Sequence, residues 1–378
     1  MRGILTSALR PANLMSSETN PSAVVIASED LRAWTRSLVQ RAGTPPDFAA
    51  DVAEVLVASD LRGIASHGVA RLAQYLKLVN AGVLDPAARP VKEKSKPALA
   101  RFNANNGWGQ PAGRIATDDA IERANELGGA ISVVRSSNHY GIAGWYAMRI
   151  AQRGLIGISL TNAGAMVAPT RSRVRMLGTN PIAVAAPAGR FGMVVLDMAT
   201  STVPRGKIEI AARQGKHIPE GWAIDREGSP TQTPEAALSG ALLPLGGAEE
   251  TGGYKGYGLA LIVEMLTGVL ASATCGHHIM GLFSTEGNSD LGHFFMAVDP
   301  GAIEEEDSFE KRLETLIEEL SAAPRAVNAP GPVLYPGQLE AERAEYQAVH
   351  GIALEQSVFE SLQGLADRYS EPLPSIKR

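Results

Sequence analysis

A histidine and an arginine four residues apart, in Ser66-His67-Gly68-Val69-Ala70-Arg71, form the densest piece of chemistry in this chain. An imidazole can take or give a proton near neutral pH. A guanidinium can grip a carboxylate through two parallel hydrogen bonds. Ser66 is a residue type that caps helices, and Val69, Leu72, Leu76 and Val79 follow at helical spacing. The stretch is therefore expected to open a helix with His67 and Arg71 on one polar face, one turn apart. There the positive helix terminus disfavours imidazolium and lowers the His67 pKa. The same residues also suit a plain cap and a surface ion pair.

Other polar turns could join this pair. Ser136-Ser137-Asn138-His139-Tyr140-Gly141 links a predicted strand to a predicted helix, a place where α/β folds build sites. His139 suits a second base, a substrate hydrogen-bonder or a satisfied structural histidine. Thr161-Asn162 and Gly178-Thr179-Asn180-Pro181 are strand-adjacent turns able to bind an amide or hydroxyl, or simply to turn the chain. Asp197 ends the apolar run 193–196 and could orient a histidine, bind a ribose hydroxyl or cap the next turn. The glycine-rich run 246–258 with Lys255 opens an apolar helix, as a phosphate cradle or as a surface turn. Arg171, Arg173 and Arg175 alternate, facing a 2′-phosphate or solvent. Cys275-Gly276-His277-His278 lacks a second ligand cluster, so no metal site is expected. No Gly-x-Gly-x-x-Gly follows a candidate strand. Gly247–Gly252 has P-loop spacing, but Gly253-Tyr254 stands where Lys-Ser/Thr is needed.

The elements that must position these groups fall into three zones. Residues 28–84 read as helices marked by Leu31, Trp34 and Leu38, then Phe48, Val52, Val55 and Leu56, then the His67 helix ending near Gly82. Asp85-Pro86 to Lys96-Pro97 reads as a linker. Short apolar runs at 130–134, 155–160, 182–186, 192–196 and 294–298 read as strands, with helices at 141–153 and 257–270. After Pro300 helices return, with Phe309, Leu313, Leu316, Ile317 and Leu320 on one stripe. The expected architecture is a helical domain from residues 23–100 together with 301–378, and an α/β domain over 101–300.

With 378 residues the chain exceeds what one core usually serves. A net charge of −5 with dispersed Lys and Arg gives no nucleic-acid footprint. A lone cysteine excludes an intramolecular disulfide framework and fits a reducing, cytoplasmic setting. Residues 1–22 faintly resemble a transit peptide and are expected to be a disordered tail. Glu264 in the middle of the apolar stretch 257–276 argues for a buried helix rather than a membrane span.

In their order, the motifs SDLRGIASHGVARL (59–72), SSNHYGIAGWYA (136–147), LGTNPIAVAAP (177–187), LDMATS (196–201), IPEGWAIDREG (218–228), LLPLGG (242–247) and GGYKGYGLAL (252–261) resemble the type-2 malate/L-lactate dehydrogenase family. The likeness spans roughly residues 25–345 and is nearest to members labelled malate dehydrogenase. It implies a non-Rossmann, mixed-sheet α/β domain that binds NAD or NADP, a helical domain from both chain ends, and a homodimer. It also implies a small carboxylate substrate, with a 2-hydroxy acid oxidised reversibly to its 2-oxo acid. The alternatives are an NADPH-dependent reductase of a cyclic imino acid and a ureidoglycolate dehydrogenase; a homologue that only binds dinucleotide is a third. Carried over by residue, His67 is the acid/base and His139 a second active-site histidine (the proton acceptor in some members); on the reading this supports, Asp197 orients or charge-stabilises His67. Arg71, Thr161, Asn162, Thr179 and Asn180 form the substrate set. Leu196, Asp197, Met198, Ala199, Lys255, Gly256, Pro336, Gly337 and Gln338 contact the dinucleotide. The chain departs from the family at Thr170-Arg171-Ser172-Arg173, where many members have Gly-Gly, and at Leu334-Tyr335 and Gln338, where many have Arg and Glu. Both departures bear on the choice between NAD and NADP.

Overall fold

The computed structural model describes residues 23–282, 284–305 and 308–377, so the tail expected at 1–22 lies outside the described residues. Strand β1 (Val24–Ile26) leads into helices α1 (Ser28–Arg41) and α2 (Pro46–Leu61). Pro46 in the first turn of α2 gives up an N–H that the helix could not use. Leu31, Leu38, Val52 and Leu56 are fully buried and share one core with Leu72 and Leu76 of α3 (Leu72–Asn80). The expected third helix is thus shorter than its periodicity suggests, because the stretch before Leu72 is two separate 3-10 turns, Ala65–His67 and Val69–Arg71.

Seven strands form the central sheet. Three are β2 (Val91–Lys96), β3 (Leu99–Asn103) and β4 (Gly129–Ser137), followed by β5 (Ile156–Thr161), β6 (Ile182–Pro187) and β7 (Met193–Met198). Helices α4 (Gly109–Leu127), α5 (Ala143–Ala151), α6 (Arg205–Gln214), α7 (Pro234–Ser239) and α8 (Gly253–Glu264) are interspersed. Two short strands, β8 (Ala223–Ile224) and β9 (Ala241–Leu242), pair beside α6 and α7 over a small core of their own. The last central strand, β10 (Leu291–Val298), is inserted between β4 and β5, giving the order β2-β3-β4-β10-β5-β6-β7. Only β3–β4 is parallel, so the sheet is mixed.

Side-chain alternation splits β10 between two layers. Phe295 packs with Ala112, Ala116 and Tyr146 of α4 and α5, while Phe294 packs with Val263 of α8 on the other face. Helix α8 continues into a π-helical turn, Met265–Val269. Among the described residues no helix is long and apolar enough to cross a membrane.

The chain ends with α9 (Ser308–Ser321), α10 (Gln338–His350), β11 (Ile352–Leu354) and α11 (Gln356–Tyr369). β11 pairs with β1, and Phe359 and Leu362 of α11 enter the α1–α3 core, so the two ends pack together. Other features do not follow the expected boundaries. The expected linker contains β2, which joins the sheet through β3 although it precedes residue 100. Helix α9 follows residue 301 yet rests on the β6–β7 turn, where Glu314 and Glu318 pair with Arg190.

Candidate active site

Asp60, in the last turn of α2 and 4% exposed, shapes the His67 turn. Its Oδ2 accepts the Val69 N–H at 2.8 Å. A Cβ placed on Gly68 would sit 1.8 Å from Asp60 Oδ1, so only glycine lets the chain pass this carboxylate. Gly68 is extended there, which breaks the helix in two and leaves His67 at the end of the first turn. Ser66 therefore caps no helix; its Oγ lies 2.9 Å from His67 Nδ1. Arg71 clips the turn shut, donating to the Ser66 carbonyl at 2.6 Å and to Gln74 Oε1 at 2.9 Å. Burial first, and the Arg71 charge second, depress the His67 pKa to about 4. The helix terminus expected to do so is absent. Burial also raises the Asp60 carboxyl to about 7, against the Val69 hydrogen bond.

His139 arrives from the sheet side. Ser136, with φ +49°, bulges the chain near the end of β4 and donates its N–H to Asp290 Oδ1 at 2.8 Å. The Asn138 amide donates to the Gly107 carbonyl at 2.9 Å, just ahead of α4. A side chain on Gly109 would strike the Asn138 carbonyl, so α4 can start against this loop only with glycine there. The His139 ring stacks on His67 with centroids 5.5 Å apart and 26° between planes. Its Nδ1 lies 2.6 Å from Tyr75 Oη and receives the Gly141 N–H at 3.2 Å. Burial holds its pKa well below the ordinary value, helped by the charges of His67 and Arg71. His67, Arg71 and His139 are thus one cluster. Tyr75 belongs to it too, and sequence reasoning missed it because a phenol on the apolar stripe of α3 reads as core.

Several expected substrate residues are turned inward instead. Thr161 Oγ1 lies 2.8 Å from Nδ1 of the fully buried His293, whose Nε2 meets Ser137 Oγ at 2.8 Å. Asn162 and Asn180 aim their amides at buried Glu264, at 3.3 and 3.1 Å. Their carbonyl oxygens accept the Gly292 and Ala163 N–H groups. Both side chains are thereby engaged within the protein. Thr179 remains partly exposed, and its carbonyl accepts the Thr200 N–H at 2.8 Å.

The expected dinucleotide residues fall on one continuous edge. Leu196, Asp197, Met198 and Ala199 lie in or just after β7. Asp197 Oδ2 accepts the Gly144 N–H in the first turn of α5 at 2.8 Å, and Arg62 and Glu340 are its charged neighbours. It orients a helix start and neither histidine; burial raises its carboxyl to about 6. The Pro336 carbonyl accepts the Val195 N–H at 2.9 Å, and Gly337, at φ +88°, passes too close to Val195 for any side chain before Gln338 starts α10. Beyond Ala199, Thr200 accepts the Leu245 N–H, and Leu245 accepts the Gly256 N–H where α8 begins. The glycine loop, which reads as a phosphate cradle or a surface turn, uses two of its amides internally. Its Gly253 and Lys255 amides bond to Ala248 and Gly252 carbonyls, leaving the exposed Lys255 side chain as the group it offers an anion.

The three alternating arginines do not share a face. Arg171 pairs with Glu249, while Arg175 donates to the Leu238 carbonyl. A surface cavity of about 560 Å³ near α4 is lined by Lys92, Asp119 and Arg123 among others, with both cations paired to the Asp119 carboxylate. No group of three metal-ligating side chains occurs among the described residues.

Known proteins resemble this chain in sequence and fold. The family profile described as malate/L-lactate dehydrogenase matches residues 26–363. The chain is 44% identical over 301 residues to a malate dehydrogenase of Pyrococcus abyssi, covering 79% of this chain and 82% of that one. It is 32% identical to a ureidoglycolate dehydrogenase (NAD(+)) of Escherichia coli, over 89% of this chain and 94% of that one. It is 36% identical to a (2R)-3-sulfolactate dehydrogenase (NADP(+)) of Chromohalobacter salexigens, over 74% and 82%. The solved malate dehydrogenase of Pyrococcus horikoshii superposes with a TM-score of 0.86 at 35% identity, covering 93% of this chain and 97% of that one. The chain belongs to the malate/L-lactate dehydrogenase family of oxidoreductases.

Proposed function

We propose that this enzyme interconverts a small 2-hydroxy acid, malate or a close relative, and its 2-oxo acid, with NAD or NADP as redox partner. The carrying observation is the stacked His67–His139 pair beside Arg71, with both imidazoles held neutral at pH 7. When bound, a nicotinamide dinucleotide supplies the acceptor for the hydride that leaves C2. The donor set suits such a group. Lys255 offers an ammonium for the diphosphate, and Asp197, with one oxygen on Gly144, keeps the other for a ribose hydroxyl.

The hydroxyl proton passes to neutral His67. The Arg71 charge draws in the substrate carboxylate, and that anion in turn offsets the charge depressing the His67 pKa. The base is thereby moved toward the range where it works best. A homodimer completes the reading: Tyr254, Leu261, Ile262, Met265 and Val269 of α8 and its π turn are exposed, an apolar face that a second copy would cover.

The test is a panel of 2-oxo acids and a cyclic imine, piperideine-2-carboxylate, with NADH and NADPH followed by absorbance. Turnover of a 2-oxo acid is expected, and turnover of the imine alone would overturn the substrate class.

A further inference from the structure

Two active-site histidines leave open which one exchanges the proton. We propose that Tyr75 and the Gly141 amide fix the His139 proton on Nε2, so that His139 serves the reaction as a neutral hydrogen-bond donor while His67 alone exchanges the proton. The inference rests on the functional reading above and divides the work within the same site.

The argument begins with a donor that has no alternative. A backbone N–H can only donate, and the Gly141 N–H points at His139 Nδ1 from 3.2 Å. That nitrogen must therefore carry a lone pair, which in a neutral imidazole places the proton on Nε2. The Gly141 amide is held in place because the residue sits at φ +87° against α2, where any Cβ would lie 2.5 Å from Val55 Cγ1. Tyr75 Oη lies 2.6 Å from the same Nδ1 and asks for the same tautomer as a donor. Burial raises the phenol pKa, which keeps its proton on oxygen. Gln110, fully buried, lies near the phenol. The Tyr75 ring itself is wedged edge-on against Trp108, with centroids 5.8 Å apart.

His67 differs in its partner. Its Nδ1 meets the Ser66 hydroxyl, which can accept as well as donate, so His67 can hold its own proton on Nδ1 and present a lone pair at Nε2. The stacked rings then offer one substrate oxygen a donor and an acceptor. As the proton leaves the C2 hydroxyl for His67 and the hydride leaves C2 for the nicotinamide, His139 Nε2–H steadies the oxygen that becomes the carbonyl. Tyr75 acts through His139 and is a positioning residue.

The first test needs no turnover, so it is separable from the functional reading. Long-range ¹H–¹⁵N spectra of ¹⁵N-histidine-labelled protein, with His139 assigned through His139→Gln, should show an unprotonated Nδ1 and a protonated Nε2. The opposite pattern would overturn the proposal. Tyr75→Phe should partly release this tautomer, and an unchanged spectrum would remove Tyr75 from it. The second test is kinetic. His139→Gln keeps an amide donor near the Nε2 position but not the imidazole's placement of it, and should cost on the order of 10-fold in kcat/KM. His67→Gln should cost roughly 100- to 10,000-fold, as loss of a general base does. Equal losses would return proton exchange to His139.

Discussion

The His67–His139 pair and the His293 cluster meet at the Asn138–Tyr140 turn, where His139 stacks on His67 and Tyr140 on His293, and all three imidazoles are kept neutral by burial. Their hydrogen bonding differs. His293 has Thr161 on one nitrogen and Ser137 on the other, and Tyr140 stacks on its face at 4.4 Å. His67 and His139 each engage Nδ1 only, and among the described residues neither Nε2 has a protein partner. Depressed basicity therefore does not mark chemistry in this protein. What sets the proposed pair apart is an unengaged ring nitrogen at a partly exposed edge.

The strongest way to break this contrast is to substitute on both sides of it. His67→Gln should lower kcat/KM roughly 100- to 10,000-fold while melting temperature stays within a few degrees. His293→Leu should do the reverse. It takes the imidazole from between the buried Thr161 and Ser137 hydroxyls, leaving them only the Gly292 and Asn138 carbonyls, at about 1–3 kcal/mol in all, and keeps kcat/KM within about tenfold. Comparable losses of activity would show that His293 belongs to the catalytic machinery.

Asn180→Ala sharpens the same contrast among amides. It removes one donor from buried Glu264 and should lower stability by about 1–3 kcal/mol, measured by urea unfolding, with substrate KM unchanged. A raised KM at unchanged stability would give Asn180 back its expected place at the substrate.

Titration separates the groups by sign. His67 and His293 have folded pKa values near 4 and 3, against 6.5 for the free ring. Their stabilisation is fully present above 6.5 and is lost as pH falls from there toward 4 and 3. Asp60, raised from 3.8 to about 7, runs the other way: its contribution is complete below 3.8 and is lost as pH rises through 7. Asp60→Asn, which keeps an acceptor for the Val69 N–H, should gain melting temperature relative to the parent as pH is raised from 4 to 8. The smallest effect is expected at the surface, where Arg171→Ala should leave the melting temperature unchanged because solvent screens the Glu249 pair.

What could be read from the sequence followed the periodicity of large side chains. The runs at 130–134, 155–160, 182–186, 192–196 and 294–298 are β4, β5, β6, β7 and β10, because apolar and β-branched residues between turn formers have little else to do. Helix α4 was not legible. Its buried face is Ala112, Ala116, Ala120 and Ala124, residues too small to register as a stripe. β2 was lost for the opposite reason, being exposed along its whole length with no alternation to see. In the site, His67, Arg71 and His139 stood out because their types carry chemistry wherever they fall. The inward turn of Asn162 and Asn180 was not visible, since it depends on Glu264 arriving from about 80 and 100 residues downstream. Nor could the sequence show that Gly68 answers to Asp60, a contact made by tertiary packing alone.

The two rims of the central sheet bear on how this protein behaves when crowded. A sheet border with free amides and carbonyls is a template for a neighbouring molecule. On one side the backbone of Pro336 occupies Val195, so β7 offers an incoming strand an interrupted ladder. On the other, β2 reads Val-Lys-Glu-Lys-Ser-Lys and is fully exposed, so a strand docking there would meet a row of ammonium groups. Cross-β stacking between molecules is thus discouraged sterically at one border and by charge at the other, and salt should weaken only the second safeguard.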